Sequence, residues 1–165
     1  MKTNGSVYVA VVFAVLIGYF GYQWWLNPAR AVKQRLGQVA AALSVPEGEA
    51  DLARVARLAQ LRHYLADDIR VVAGAQELRS RDAALAVAAG WKPEHGSGDV
   101  HFADVQVFME SETAAHAYLA VELTRLDRQS GQPTVDSRDA SVSLAKRNDA
   151  WVITIAESKE MPDAR

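Results

Sequence analysis

Few side chains in this chain of 165 residues combine the chemistry and the spacing that proton transfer requires. Tyr64 and Asp68 stand one helical turn apart, where a helical pattern gives way to a strand, and His101 opens a later strand. General acid–base catalysis needs such a group held within hydrogen-bond reach of a substrate inside a cavity. These three are therefore the candidate catalytic residues. Each has a plainer alternative: Tyr64 and Asp68 would pack and cap the start of a strand, and His101 would be a hydrogen-bonded rim residue. His63, His95, His101 and His116 show no H-x-x-x-H or H-E-x-x-H spacing, and Asp67-Asp68 reads as a solvated pair, so no metal site is indicated. The chain has no cysteine, which excludes disulfides, thiolate catalysis and Cys-ligated metals. No cofactor is expected.

The elements that must position these groups follow from periodicity. Asn27-Pro28 opens a helix over 27–44, since Asn caps well and Pro suits a first turn. Its seam, Val32, Leu36, Val39 and Leu43, fits a short coiled coil, an interfacial helix or, the reading preferred, the first helix of a domain. A second helix spans 49–65, with Leu52, Val55, Leu58, Leu61 and Leu65 as its expected buried face. A short strand follows over 69–72, turned by Ala73-Gly74-Ala75. Ser80 then caps a helix over 81–89 that Gly90 stops, and 92–99 is a loop. From Val100 the period becomes two, predicting four strands over 100–109, 114–126, 135–147 and 150–157 joined as an antiparallel meander. One face of these strands is apolar: Val105, Val107 and Met109; Ala117, Leu119, Val121 and Leu123; Ala140, Val142 and Leu144; Trp151, Ile153 and Ile155. The other carries Asp104, Gln106, His116, Tyr118, Glu122, Asp139, Ser141, Ser143 and Thr154. His101 shares the alternation of Val105 and Val107 and is expected at the inner rim.

Two helices, a short strand, a short helix and long antiparallel strands make an α+β roll, and three segments give it a family likeness. Tyr64-Leu65-Ala66-Asp67-Asp68-Ile69-Arg70-Val71 resembles the helix-to-strand junction of the nuclear transport factor 2-like superfamily in its SnoaL-like or ketosteroid-isomerase-like form. Ser80-Arg81-Asp82-Ala83-Ala84-Leu85 resembles that family's short "G-R-E-A-I" helix, and Lys146-Arg147-Asn148-Asp149-Ala150-Trp151-Val152-Ile153 its last hairpin, "K-R-D-G-x-W-R-I". The resemblance covers about residues 45–157. It implies a cone-shaped, cystatin-like roll, with helices packed on a curved antiparallel sheet and often a pocket inside. Ketosteroid-isomerase-like members place their proton-abstracting Asp in A-D-D-x-x-V-x-D-P. Here the same register runs from Ala66 to Gly74, and the base position is Ala73. A methyl group accepts no proton, so that mechanism does not carry over. The apolar inner face is expected to fill the cone with core.

The stretch from Gly5 to Leu26 carries no charge. As a helix it would be about 33 Å long, close to a hydrocarbon core of about 30 Å. A cleaved signal peptide is the alternative, but the run is long and ends in bulky residues. Tyr19, Tyr22, Trp24 and Trp25 fit an interfacial aromatic belt instead. The expected division is a tail over 1–4, a transmembrane helix over 5–26, a juxtamembrane helix over 27–44, the α+β domain over 45–157 and a polar tail over 158–165. Lys2 before the helix and Arg30, Lys33 and Arg35 after it leave the side of the domain open. Ser6, Ala10, Ala14 and Gly18 recur every fourth residue, a small-residue face on which a second helix could pack. With a net charge of −2 and no basic stripe, nucleic acid is not an expected partner. The function expected is a membrane-anchored, non-enzymatic interaction or scaffold domain of a membrane-associated assembly, homodimeric through Phe108, His116 and Tyr118. The alternative is a binder of a small apolar ligand, or an isomerase- or dehydratase-like enzyme, using the cone.

Overall fold

The computed structural model describes residues 4–25, 27–93, 96–126 and 130–158, and on the first helix it describes side chains from residue 9 to residue 22. His95, residues 159–165 of the polar tail, and the side chains of Ser6, Trp24 and Trp25 lie outside the described residues.

Helix α1 runs Asn4–Trp25. Its described side chains are exposed all round, and among the described residues it makes no substantial contact with the other elements. Among the described residues no helix is long and apolar enough to cross a membrane. The stretch 5–26 has residues at both ends whose side chains are not described.

Helix α2, Pro28–Leu43, starts at Asn27, whose Oδ1 accepts the Ala29 amide at 3.1 Å. Val32, Leu36, Val39, Ala40 and Ala42 are buried, and α2 packs mainly on one sheet strand, β3 (Gly98–Met109). It is a layer of the domain itself. A fully buried Leu or Val contributes about 1.5–3 kcal/mol by leaving water, so Val32 and Leu36, both at 0% exposure, hold α2 firmly. Helix α3, Asp51–Tyr64, differs from expectation. Of its expected stripe Leu61 and Leu65 are buried, Leu65 as the first residue of the strand that follows, while Leu52 is 81% and Val55 61% exposed. With α2 already on the sheet, α3 reaches the core through its C-terminal turns, and its first turns have no layer beneath them.

Strand β1, Leu65–Ala73, follows α3 without a loop. A tight turn at Gly74, whose φ of 58° suits a residue without Cβ, leads into β2, Gln76–Leu78, a strand absent from the sequence reading. Helix α4, Arg81–Gly90, is capped by the Ser80 hydroxyl, which accepts the Ala83 amide. The expected strands follow: β3, then β4 (Ala114–Leu126), β5 (Pro133–Arg147) and β6 (Ala150–Ser158). The sheet order is β2-β1-β6-β5-β4-β3. β3 to β6 form the antiparallel meander, but β1 lies parallel to β6, so the sheet is mixed rather than antiparallel.

Two bulges change which residues face inward. On β3 the register slips between Ala103 and Gln106, around Asp104 at φ 51°. An extra residue in one strand reverses the alternation beyond it. Phe102 therefore joins the core beside Val105 and Val107, and His101 faces outward, exposed and opposite Glu122. On β6 the slip falls at Thr154, whose hydroxyl donates to the Ser143 carbonyl at 3.1 Å. Ala156 then stands opposite Val142 against the core, and Ile155 stands opposite Ser143 on the outer face, not the inner face expected for it.

Candidate ligand cavity

The core does not fill the cone. Between the sheet and the helices lies a cavity of about 430 Å³, within the range of small-molecule sites. Leu119, Val121, Ala140 and Val142 line its sheet wall, with Val100 and Phe102 beside them. Ala84, Val87, Ala88 and Trp91 of α4 and its end line another side, and Leu61, Leu65 and Ile69 a third. The space exists because five wall positions, Ala73, Ala84, Ala88, Ala140 and Ala156, carry one methyl each where a packed core would need larger side chains. This overturns the expectation of a filled cone. The signal was those alanines on otherwise core-facing positions, but their meeting around one volume was not visible in the sequence.

The lining is almost free of polar groups. Among the described residues only Glu157, Ser158 and Trp91 of the lining have polar side chains, and Glu157, opposite Ser141 in the register, is exposed on the outer side of β6. Ala73 is in the wall.

The three candidate catalytic residues are not brought together there. Asp68 is exposed and takes a two-pronged ion pair from Arg147, Nη1 to Oδ1 at 2.8 Å and Nη2 to Oδ2 at 3.3 Å. The Arg147 hydrogen bond, helped by the residue's own backbone amide, holds the Asp68 carboxyl below the usual carboxylate range. A base held ionised by an arginine is a poor proton acceptor; Asp68 ties β1 to the last hairpin. Tyr64 is half-buried at the end of α3, with the Arg35 guanidinium 4.7 Å from its ring centroid. His101 lies in a separate shallow groove with Lys33 and Ser44. Among the described residues no cluster of His, Asp or Glu could hold a metal ion.

The outer sheet face carries a second feature. Phe108 and Tyr118, each 52% exposed, meet edge to face at 5.9 Å between ring centroids. His116 lies 4.7 Å from Tyr118, with Nδ1 at 3.1 Å from the Ser143 hydroxyl. Beside them is an open hollow of about 310 Å³ lined by Asp104, Gln106, Asp139 and Ser141.

No family model matches the chain, and no curated protein matches it by sequence. Solved structures do. A nuclear transport factor 2-like protein with a cystatin-like fold from Novosphingobium aromaticivorans has a TM-score of 0.64 at 14% identity, over 88% of this chain and 90% of that one. The chain has the nuclear transport factor 2-like fold. Hexachlorocyclohexane dehydrochlorinase LinA-type3 from Novosphingobium barchaimii shares it at TM-score 0.62 and 12% identity, over 81% of this chain and 86% of that one. So does the CamKII hub homology domain of a Chlamydomonas, at TM-score 0.65 and 10% identity, over 82% and 99%. An enzyme and a hub on one fold mean that function must be read from the site.

Proposed function

We propose that this chain is a membrane-tethered, non-enzymatic domain that holds a small apolar molecule in its cone. The observation that carries the reading is the cavity of about 430 Å³ whose described lining has no acid or base except the exposed Glu157. Such a site binds by excluding water from apolar surface and lacks the placed ionisable group that proton transfer needs. For the tether, the support is the uncharged stretch 5–26 and the exposure of every described side chain on α1. Large apolar side chains exposed on all sides of a helix are costly in water and ordinary in lipid.

The test is binding of the neutral fluorophore N-phenyl-1-naphthylamine to the full chain in lipid nanodiscs, with empty nanodiscs as the blank. Ala140→Phe and Ala88→Phe fill the cavity from opposite walls, and each is expected to weaken binding about ten-fold or more. Binding that neither variant changes would place the probe elsewhere and remove the reading.

A second reading, an interaction domain that dimerises through its sheet, is favoured by the exposed Phe108–Tyr118–His116 cluster. The two are compatible, because the cavity and the cluster lie on opposite faces of the sheet.

A further inference from the structure

We propose that the groove between α2 and the edge strand β3 takes an extended peptide segment of a partner protein, added antiparallel to β3, with apolar side chains turned toward α2 and an acidic residue at the Lys33 end. Peptide binding here does not depend on a ligand in the cone.

β3 ends the sheet order, so one side of it has no neighbouring strand. The phase of its hydrogen bonds follows from the β3–β4 turn, where the Glu110 amide donates to the Ala114 carbonyl at 3.0 Å. Antiparallel pairs alternate, so Phe108 and Gln106 bond β4, while Val107 and Met109 turn their backbone groups to the free edge. Past the bulge at Asp104 the outward set is Phe102, Val100 and Gly98. Two contacts within the chain agree with this phase. Val45 exchanges hydrogen bonds with Gly98 as an isolated antiparallel bridge. Ser44 Oγ accepts the Val100 amide at 2.9 Å and lies 3.3 Å from the Val100 carbonyl. Residues before Ser44 belong to α2 and leave the edge. Among the described residues no hydrogen bond beyond those of the sheet reaches Phe102, Val107 or Met109. An extended segment thus already adds to this edge at Gly98 and Val100, and the next positions along it stand open as a template for a strand.

The groove beside those positions measures about 290 Å³, with α2 as one wall and β3 from Asp99 to Val105 as the other. The helix wall is low: Gly37, Ala40 and Ala41 line it, and nothing stands within 4 Å of where a Cβ at Gly37 would sit. Residues opposite each other in a sheet project to the same face. A guest residue bonded to Phe102 therefore points, like Phe102, toward α2, and its neighbours point away. The groove is also polarised. Lys33, which has no ion pair among the described residues, stands three helical turns before Ser44, and Ser44 Oγ lies 3.1 Å from the Asp99 carboxylate at the other end. An antiparallel guest runs from the Lys33 end to the Asp99 end, so an acid suits its start and a base its finish. A second copy fits less well. Paired strands lie about 4.8 Å apart and packed helices about 8–10 Å. Because α2 packs mainly on β3, two copies joined through β3 would drive both α2 helices into one space.

The test is calorimetric titration of acetylated, amidated peptides into the full chain in nanodiscs, with empty nanodiscs as the blank. The probe is Glu-Val-Thr-Val-Thr-Lys, and its control, Lys-Val-Thr-Val-Thr-Glu, exchanges the end charges at the same composition. The probe is expected to bind at least about five-fold more tightly than the control, and Lys33→Glu should remove that preference. N-methylation of both valines, whose amides face β3, should weaken the probe at least about 30-fold, whereas N-methylation of both threonines should change little. Gly37→Leu closes the room on α2 and should weaken the probe about ten-fold or more. Leu is the better helix former at that exposed site, so the urea midpoint should not fall. No heat from the probe up to about 1 mM overturns the proposal, as does an N-methyl-valine peptide that binds like its parent. Equal affinities of probe and control overturn the placing of the acid at Lys33. If Gly37→Leu instead converts a wild-type dimer to monomer in sedimentation, the groove belongs to a second copy and the partner peptide is overturned.

Discussion

Several charged residues in this domain fasten its elements to one another. Arg57 is the clearest. Its Nε and Nη2 lie 2.7 and 3.2 Å from the two oxygens of Glu49, and its Nη1 donates to the Ala42 carbonyl at 2.9 Å. With side-chain exposures of 10% and 7%, this pair closes the link between α2 and α3, and Arg57 satisfies a carbonyl in the last turn of α2. The hydrogen bond from Arg57 holds the Glu49 carboxyl below its ordinary value, with burial opposing. A carboxylate whose folded pKa is depressed adds stability that is present above its unfolded value, about 4.3 for Glu, and lost as pH falls through the folded value. Glu49→Gln is therefore expected to lower the urea midpoint at neutral pH and to flatten its decline below about pH 4.3. Equal slopes for wild type and variant in a pH series of urea melts would count against this account.

At the scale of elements, what shapes the cavity is the meeting of α4 with the start of β3. Gly98 exchanges backbone hydrogen bonds with Val45 at 2.7 and 2.9 Å, which ties the chain after α2 to the sheet edge. A Cβ at Gly98 would stand 2.3 Å from the tip of the Trp91 ring, and Trp91 is cavity wall. Gly98→Ala should therefore destabilise by roughly 1–3 kcal/mol through overpacking and weaken ligand binding by displacing Trp91. Chemical denaturation of a double-mutant cycle checks the cause: the cost of Gly98→Ala should largely vanish in a Trp91→Ala background. Additive costs would show that the clash lies elsewhere. The same scale explains the exposed Leu52 and Val55. The periodicity of α3 was legible, but a stripe reports only that a helix can bury a face, and α2 took the place on the sheet.

For the whole molecule the question is how many copies act together. Two surfaces are available: the outer sheet with Phe108, His116 and Tyr118, and the small-residue face of α1, where Ala10 and Ala14 are exposed and the space beside Gly18 is open. The full chain in detergent is expected to be a dimer by sedimentation. Tyr118→Glu should convert it to monomer if the sheet pairs, and Ala14→Leu with Gly18→Leu should do so if the anchor pairs. A monomer in wild-type protein at high micromolar concentration would remove both. The tether has its own check, since the full chain should float with vesicles and a chain lacking residues 1–26 should not.

The sequence alone determined most of what is local. The extents of β3 to β6 followed closely from the change of period at Val100, whereas β1 is longer than expected and β2 was missed. The polar outer face of the meander was plain from alternation. Each of these depends on neighbours within a few residues, and local order encodes them directly. The tertiary structure decided what depends on distant segments. Parallel pairing of β1 with β6 joins stretches at least 85 residues apart, and nothing in Leu65–Ala73 names its partner. The bulges at Asp104 and Thr154 turned His101 outward and Ala156 inward, because one extra residue reverses a period of two. The cavity is the most collective property of all. It is a volume left over after α2, α3, α4 and all six strands have packed, and its five wall alanines are ordinary residues until the fold places them around one space.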